Sequence, residues 1–293
     1  PPVKGRKVTD PTRTIAFQGM LGAYSHAACQ AARPDLDVLP CASFEDMLLA
    51  VQEKRALCAM VPVENSVAGR VADIHHLLPE SGLFITGEHF QRVNHMLLGV
   101  KGAKISDLRQ VKSHTHALAQ CRKLIRDLGL TPVISADTAG SAAEIAAAGD
   151  PSVAAIASSL AAELNGLEIL RADIEDAAHN TTRFLIMGRA AATPPTDDGR
   201  YVTTVVFRVR SVPAALYKAL GGFATNGVNL TKLESYLVDG SFSAAQFYVD
   251  AEGHVESPAM RMAMEELRFF CPEDAVRVLG SYPADPFRAR NGD

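Results

Sequence analysis

The sequence predicts an α/β protein with a larger part of two lobes and a smaller βαββαβ part. Short apolar runs alternate with helix-like runs over the first 189 residues, which is typical of layered α/β folds. Residues 190–200 are rich in Pro, Gly, Asp and Thr, as linkers between domains often are. The length of 293 residues also favours two domains over one.

The first lobe begins with a strand, a glycine turn at Gly19 and Gly22, and a helix. A second helix is indicated by Ser43, a favourable N-cap residue with Asp46 three positions later. The strands predicted in this lobe are 14–18, 38–40 and 57–62, and the helices are 24–32 and 43–53.

Longer β-like stretches at 83–86 and 93–98 precede a second lobe, after which the chain returns to a strand at 183–187. The strands predicted in the second lobe are 111–114, 132–135 and 153–157, and the helices are 117–128, 141–148 and 159–165. One plausible arrangement has the chain cross between the lobes near 92–95 and 172–179. The cleft between two such lobes is a favoured ligand site.

The smaller part has the order of a ferredoxin-like module. Its predicted strands are 202–210, 230–237, 242–250 and 275–282, and its helices are 213–225 and 257–270. Asp239-Gly240 is the expected hairpin turn, and Pro213 suits the first turn of a helix. Residues 1–12 and 284–293 are expected to be tails.

Charge and cysteine content exclude several classes of function. There are 29 Lys and Arg against 33 Asp and Glu, giving a net charge of −4, and no dense basic block, so a nucleic-acid partner has no electrostatic support. The five cysteines form no C-x-x-C pair, which disfavours a zinc knuckle or a disulfide framework and favours a reducing cytoplasm. Without a signal-like or membrane-length apolar run, neither export nor a membrane partner is expected.

Four polar clusters lie where predicted turns meet helix or strand ends. They are residues 22–26, 64–66 with Gly69, 113–116 and 180–184. Backbone N–H groups exposed at helix N-termini attract anions, and the clusters add hydroxyl donors. Each Ser or Thr alone would more often be a cap or a turn residue. Their recurrence at successive junctions predicts an anionic, oxygen-rich ligand.

No cofactor or metal motif is found in the sequence. The available metal-ligand types are His75, His76, His114, His116 and Asp137. Carboxylates do not gather around these histidines, so no metal is expected. The turn at 19–22 lacks the Gly-Lys-[Ser/Thr] ending of a phosphate loop, and Ser66 lacks a Gly-x-Ser-x-Gly elbow.

Taken together, the clusters resemble the motifs of the prephenate dehydratase family. The segments that carry the resemblance are 19–25 (GMLGAYS), 61–66 (VPVENS) with Gly69, 113–121 (SHTHALAQC), 137–139 (DTA) and 180–184 (NTTRF). They occur in the family's order, and the resemblance covers about residues 15–282. It implies a periplasmic-binding-protein-like catalytic domain at 13–189 and, after the linker, a module at 201–283 that resembles an ACT domain.

The resemblance also implies a reaction. Members of the family, which are lyases, convert prephenate to phenylpyruvate, water and carbon dioxide without metal or organic cofactor, on the route to phenylalanine. The implied catalytic residues are Thr182, Glu64, Asn65, Ser113 and Gln120. The implied substrate-binding residues are Ala23, Tyr24, Ser25, Ser66, His114, Thr181, Arg183 and Phe184.

A threonine hydroxyl is a weak acid, so we expect Thr182 to donate a hydrogen bond within a network, with Glu64 and His114 as competing proton sources. Arg183, the only arginine in these motifs, is expected to bind a substrate carboxylate.

The ACT-like part implies an L-phenylalanine effector and pairing into a homodimer or homotetramer. The corresponding effector residues are Ala214, Ala215, Leu216, Asn229, Leu230, Glu234 and Ser235. Here the chain departs from phenylalanine-sensing members. Ala214 replaces a glycine, and Tyr236-Leu237 replaces Arg-Pro, so feedback by phenylalanine is a hypothesis.

Three alternatives stay open at this stage. Arogenate differs from prephenate only by an ammonium in place of the keto group, so an arogenate dehydratase is possible. A cleft-type solute-binding protein would show the same alternation of strands and helices. The third alternative is an amino-acid sensor whose catalytic half is inactive.

Overall fold

A computed structural model describes residues 10–177, 179–192, 199–210, 212–238 and 241–290. The chain divides into two compact units. The first contains the residues up to Ile74 and His89–Phe184, and the second contains His75–Glu88 and the residues from Leu185 onward.

The helices and strands follow each other in an α/β order through the first half of the chain. They are β1 (Thr14–Gln18), α1 (Tyr24–Ala32), β2 (Asp37–Cys41), α2 (Phe44–Gln52), β3 (Cys58–Asn65), β4 (Gly69–Arg70), α3 (Ala72–Glu80), β5 (Phe84–Arg92) and β6 (Met96–Gly99). Next come β7 (Gln110–Ser113), α4 (Thr115–Gln120), α5 (Arg122–Asp127), β8 (Thr131–Ile134), α6 (Thr138–Ala148), β9 (Val153–Ala157), α7 (Ser159–Asn165) and β10 (Glu168–Arg171).

The second half completes the first sheet and forms the smaller module. Its elements are β11 (Thr181–Gly188), β12 (Tyr201–Arg208), α8 (Ala215–Thr225), β13 (Leu230–Val238), β14 (Ser241–Glu252), α9 (Pro258–Phe270), β15 (Val276–Pro283) and α10 (Phe287–Arg290). Single turns of 3-10 helix occupy Pro11–Arg13 and Ile105–Asp107.

The first sheet has the order β2-β1-β3-β11-β5, with β4 paired to β3. Strand β1 runs parallel to both β2 and β3, and its residues Ile15 and Phe17 are fully buried. The Ser43 hydroxyl accepts the Asp46 N–H at 3.1 Å, which fixes the start of α2. The boundary between the two units falls within β5 and β11, so each of these strands continues from one unit into the other.

The second sheet has the order β10-β6-β9-β7-β8. Strands β7, β8 and β9 are parallel, and β6 runs antiparallel to its neighbours β9 and β10. The chain enters this sheet between Arg92 and Met96 and leaves it between Arg171 and Thr181. The two sheets are thus the cores of two lobes joined by two chain crossings.

Two of the helices predicted in the second lobe have different bounds in the structure. The helix expected over 117–128 is divided into α4 and α5 at Cys121, because the Asp176 carboxylate accepts the N–H groups of Arg122 and Lys123 at 3.0 and 3.3 Å. A carboxylate at this position starts a new helix. Helix α6 begins three residues earlier than expected, because the Asp137 carboxylate accepts the Gly140 N–H at 2.6 Å.

The smaller module has the predicted ferredoxin-like form, with an antiparallel sheet of order β13-β14-β12-β15. Its core is formed by apolar side chains of the sheet and of α8 and α9, including Val205, Phe223, Val249 and Met264. Helix α8 begins at Ala215 rather than at residue 213. The expected turn at Asp239-Gly240 lies outside the described residues. The predicted α/β fold class is confirmed.

None of the helices in the described part of the chain is long and apolar enough to cross a membrane.

Candidate active site

A cleft of about 1280 Å³ lies in the first unit and is lined by residues from both lobes. Its polar lining residues include Tyr24, Ser25, Asn65, Arg70, His95, His114, His116, Gln120, Asp137 and Thr182. Met20, Leu21 and Leu164 also line it and are about half exposed. Small-molecule sites typically occupy about 300–1,000 Å³, so this cleft is large enough for a complete metabolite.

The amide of Asn65 holds the Thr182 hydroxyl in place. Its Oδ1 accepts the backbone N–H groups of Val67 and Ala68 at 3.0 and 2.8 Å, as in an Asx turn. Its Nδ2 donates to the Thr182 Oγ1 at 2.9 Å and to the Asn180 Oδ1 at 2.8 Å. The Thr182 oxygen is therefore an acceptor within the protein, and its hydrogen remains available for a ligand.

The hydrogen-bond chain continues from Asn180 into the second lobe. The Asn180 Nδ2 donates to the Gln120 Oε1 at 2.9 Å, and the His95 Nε2 lies 2.8 Å from the same oxygen. The His95 Nδ1 lies 2.7 Å from the Tyr24 hydroxyl. A continuous set of side-chain hydrogen bonds thus connects Tyr24, at the start of α1, with Thr182.

Burial determines the protonation of the two ring residues in this chain. It lowers the pKa of His95, with Gln120 and Glu175 acting in the opposite direction, and it raises the pKa of Tyr24 well above its usual value. At neutral pH His95 is thus a neutral imidazole and Tyr24 a neutral phenol.

Glu64 and Arg183 form an ion pair at 3.1 Å, and neither lines the cleft. The Arg183 side chain is only 3% exposed, whereas that of Glu64 is 35% exposed. Because Arg183 is buried and does not line the cleft, the structure does not support the expected direct contact between Arg183 and a substrate carboxylate. Glu64 does not line the cleft, which disfavours Glu64 as a proton source. Among the described residues that line the cleft, Arg70 is the one Lys or Arg.

The second lobe contributes a pair of histidines. His114 caps α4, with its Nδ1 accepting the His116 N–H at 3.3 Å, and the two imidazole centroids lie 5.1 Å apart. Burial and the neighbouring His116 lower the pKa of His114, while Asp137 opposes the shift. Ser113 is fully buried and donates to the Ile156 carbonyl at 2.6 Å, so its hydroxyl is a structural link of the sheet.

The remaining predicted residues divide into two groups. Ala23, Tyr24 and Ser25 line the cleft at the N-terminus of α1. Ser66, Thr181 and Phe184 do not line it. The Ser66 hydroxyl donates to the His179 carbonyl and accepts the Thr181 N–H, and Phe184 is buried in the core.

The sequence patterns give no individual role to Arg70, His95 or Asn180. Asn180 is the first residue of the motif at 180–184, so its position beside Thr182 is a usable signal. His95 falls within the stretch 93–98 that predicts a strand, and Arg70 follows the glycine of another motif. Nothing in their local patterns indicates that the fold brings them to the cleft.

The second unit contains a smaller pocket of about 530 Å³ at the start of α8. Of the predicted effector residues, Ala214, Ala215 and Leu216 line it, together with Arg210 and Phe247. The other four, Asn229, Leu230, Glu234 and Ser235, do not. Within the described part of the chain, no three His, Cys, Asp or Glu residues converge as a metal site.

Comparison with known proteins agrees with the motifs in the cleft. The family model described as prephenate dehydratase matches residues 15–192. The chain belongs to the prephenate dehydratase family. The match includes all the residues of the hydrogen-bond chain, from Tyr24 to Thr182, and ends before the smaller module.

Similar relatives within the prephenate dehydratase family cover nearly the whole chain. A bifunctional N-acyl-homoserine lactone acylase/prephenate dehydratase of Komagataeibacter europaeus is 55% identical over 95% of this chain and 98% of the relative. Arogenate dehydratase/prephenate dehydratase 1 of Arabidopsis thaliana, a chloroplastic protein, is 38% identical over 94% of this chain and 73% of the relative.

A solved structure shows the same fold. The crystal structure of a prephenate dehydratase from Arthrobacter aurescens in complex with L-Phe has a TM-score of 0.83 and 32% identity, covering 92% of this chain and 89% of that one.

Proposed function

We propose that this protein catalyses the decarboxylative dehydration of prephenate to phenylpyruvate. The observation that supports this most directly is the Thr182 hydroxyl, which lines the cleft and accepts a hydrogen bond from Asn65 at 2.9 Å. A hydroxyl held in this way directs its hydrogen toward a ligand. The departing ring hydroxyl of prephenate is a suitable acceptor.

The reaction needs a proton donor and no strong base. Prephenate is a dianion; with one proton it gives the phenylpyruvate anion, carbon dioxide and water. The C–O bond to the ring hydroxyl breaks as that oxygen is protonated. The bond to the ring carboxylate breaks as well, and its electron pair completes the aromatic ring. Donors placed where the leaving oxygen gains charge accelerate such a step.

We assign the substrate carboxylates to the positive features of the cleft. Arg70 provides a guanidinium, and the first residues of α1, Tyr24 and Ser25, provide backbone N–H groups at a helix N-terminus. Gln120 lies between these groups and Thr182 in the hydrogen-bond chain and orients the substrate. In this proposal Arg183 acts indirectly, by holding Glu64 and the end of β3.

The proton itself is proposed to come from His114. The chain from Tyr24 to Thr182 passes through three carboxamides, which do not relay protons readily, so it orients groups rather than conducting protons. Glu64 is paired with Arg183 and does not line the cleft, whereas His114 does. Protonation of His114 breaks the hydrogen bond that its Nδ1 accepts from the His116 N–H, and burial and His116 also lower its pKa, so an imidazolium formed here releases its proton readily.

Purified protein incubated separately with prephenate and arogenate tests the proposal. We expect phenylpyruvate from prephenate or phenylalanine from arogenate, detected by absorbance and by chromatography. The relative rates identify the preferred substrate. The relatives include both prephenate dehydratases and arogenate dehydratases, so either compound is a candidate. Binding of either compound without turnover would contradict the proposal and favour the solute-binding or sensing alternatives.

N-acyl-homoserine lactone acylase activity is a second candidate, favoured by the bifunctional relative at 55% identity. The cleft is larger than prephenate requires, and the half-exposed Met20, Leu21 and Leu164 could contact an acyl chain. Hydrolysis of N-decanoyl-homoserine lactone to decanoate and homoserine lactone is the test. Absence of released decanoate under conditions of prephenate turnover would eliminate this candidate.

We further propose that residues 201–283 form an ACT domain that pairs copies of the chain into a homodimer or homotetramer and binds L-phenylalanine near the start of α8. The pocket at Ala214–Leu216 and the relative solved with L-Phe support this. Measurements of activity and of size in solution, with and without phenylalanine, test it. A reducing cytoplasm is proposed as the compartment, since all five cysteines are buried thiols.

A further inference from the structure

We propose that His95 is a positioning residue of this site, which acts through Gln120 to orient the amide donor that the substrate meets. The inference rests on the proposed function. His95 lies on the short segment between β5 and β6 that joins the two lobes, and only 2% of its surface is exposed.

The direction of the whole hydrogen-bond chain is fixed at one end by backbone groups. The N–H groups of Val67 and Ala68 can only donate, so the Asn65 atom that they contact is its oxygen. The Asn65 amino group must then face Asn180 and Thr182. This amide has one possible orientation.

Each following amide takes its orientation from the previous one. Asn180 receives the Asn65 amino group on its oxygen and therefore presents its own amino group to Gln120. Gln120 accepts with Oε1, and the same oxygen faces the His95 Nε2 at 2.8 Å. For this contact to be a hydrogen bond, the His95 Nε2 must carry hydrogen.

The other end of the chain is compatible with this form of His95. Burial keeps the imidazole neutral, so a protonated Nε2 leaves Nδ1 as an acceptor. The single hydrogen of the Tyr24 hydroxyl then points to Nδ1 at 2.7 Å, in competition with the Asn94 carbonyl, which lies 2.9 Å from the same hydroxyl. The backbone N–H of His95 donates to the Glu175 carboxylate at 2.9 Å, which holds the residue in register with this partner.

This arrangement determines what Gln120 offers to the cleft. With Oε1 occupied by two protein donors, the Gln120 amino group is directed to the ligand. A rotated amide would place an oxygen against an anionic substrate and remove a donor from the reacting site. His95 therefore adds a second hydrogen bond to the Gln120 amide, which Asn180 alone would hold by one.

Two substitutions of His95 separate its two hydrogen bonds. In His95→Gln the amide nitrogen occupies the place of Nε2 and retains the donor to Gln120. In His95→Asn the amide oxygen occupies the place of Nδ1 and retains only the acceptor for Tyr24. We expect His95→Asn to lower kcat about tenfold or more with little change in KM, and His95→Gln to remain within about threefold of the parent, because misplacing an orienting group is costly.

A double-mutant cycle tests whether His95 acts through Gln120. In a Gln120→Ala background, His95→Asn should have almost no further effect on kcat. The proposal would be overturned if the separate effects of His95→Asn and Gln120→Ala on kcat multiplied in the double variant. It would also be overturned if His95→Asn and His95→Gln lowered kcat equally. Circular dichroism and thermal midpoints establish that each variant folds.

A measurement on the unaltered protein keeps the inference separate from the proposed function. With ¹⁵N-labelled histidine, NMR should show a protonated Nε2 and an unprotonated Nδ1 for His95. The opposite tautomer would refute the inference even in a fully active enzyme. Absence of turnover with the expected tautomer would instead contradict the proposed function.

Discussion

The hydroxyl of Thr182 has one of its two hydrogen-bonding roles filled within the protein. Asn65 donates to its oxygen, and Asn65 is in turn fixed by the turn that follows β3. Because a threonine is too weak an acid to give up its proton unaided at neutral pH, in the proposed reaction Thr182 stabilises the leaving oxygen while another group supplies the proton. The contribution that we propose for this residue is therefore orientation rather than acidity.

Replacing Thr182 by valine should therefore lower kcat strongly with a smaller change in KM. Loss of one preorganised donor typically costs about 10²–10³-fold in kcat, and Thr182→Ser, which keeps the hydroxyl, should retain most of the activity. Steady-state kinetics with the preferred substrate is the measurement. Thr131→Val, on the exposed start of β8, is the matched control. Near-normal turnover by Thr182→Val would eliminate a direct role of the hydroxyl.

Arg70 and Arg183 should behave differently when substituted. Arg70→Gln should raise KM by about tenfold or more, because a hydrogen bond to a charged group contributes about 1.5–3 kcal/mol. Arg183→Gln should mainly lower stability, since it leaves Glu64 beside an uncharged neighbour. Kinetics and urea denaturation of both variants distinguish the two roles, with exposed Arg109→Gln as control. An unchanged KM in Arg70→Gln would show that the substrate carboxylates bind elsewhere.

At the scale of helices and strands, local signals predicted most of the elements. Helices α1 and α7 have the predicted bounds, and the Ser43 cap of α2 forms as its sequence indicates. The signals that predict these elements come from neighbouring residues. The division between α4 and α5 depends on Asp176, which lies more than 50 residues away in sequence, so no local pattern could show it.

Local patterns also identify part of the candidate site. Thr182, Asn65 and Gln120 belong to recognisable motifs and line the cleft. Arg183 belongs to the same motif as Thr182, but successive residues of a strand point to opposite faces. Thr182 therefore faces the cleft while Arg183 is buried against Glu64. A motif identifies such residues without stating which of them contacts the ligand.

The N-cap residue of helix α8 is strained. Ala214 has φ 62° and ψ 15°, the left-handed region in which glycine is favoured. The backbone at this position therefore suits glycine better than alanine. Ala214→Gly should raise the free energy of unfolding by about 1 kcal/mol, measured by urea denaturation.

The matched control for Ala214 is an alanine of the same helix in ordinary helical conformation. Ala224→Gly, at an exposed position of α8, should lower the stability by about 0.5–1 kcal/mol. If Ala214→Gly were equally destabilising, strain at this position would be excluded as a stability factor.

At the scale of the whole molecule, the second unit is assembled from separate parts of the sequence. It contains the part of α3 from His75 onward and the start of β5, residues 75–88, together with the ferredoxin-like module and the last helix. The Glu88 carboxylate is fully buried, and Arg288 binds it through Nε at 2.6 Å and Nη2 at 3.0 Å. The residues after 283, expected to be a tail, therefore bind a buried carboxylate that lies 200 residues earlier in the sequence.

Removing Arg288 should deprive the buried Glu88 carboxylate of this charged partner. Breaking one side of a buried ion pair typically costs about 3–5 kcal/mol, so Arg288→Leu should lower the free energy of unfolding by an amount in this range. The double variant Glu88→Gln/Arg288→Leu should recover part of the loss, because it no longer buries a carboxylate. Arg261→Leu, at an exposed position of α9, should change the stability by less than about 0.5 kcal/mol. If Arg288→Leu were as mild as Arg261→Leu, the last helix would not contribute to the stability of this unit.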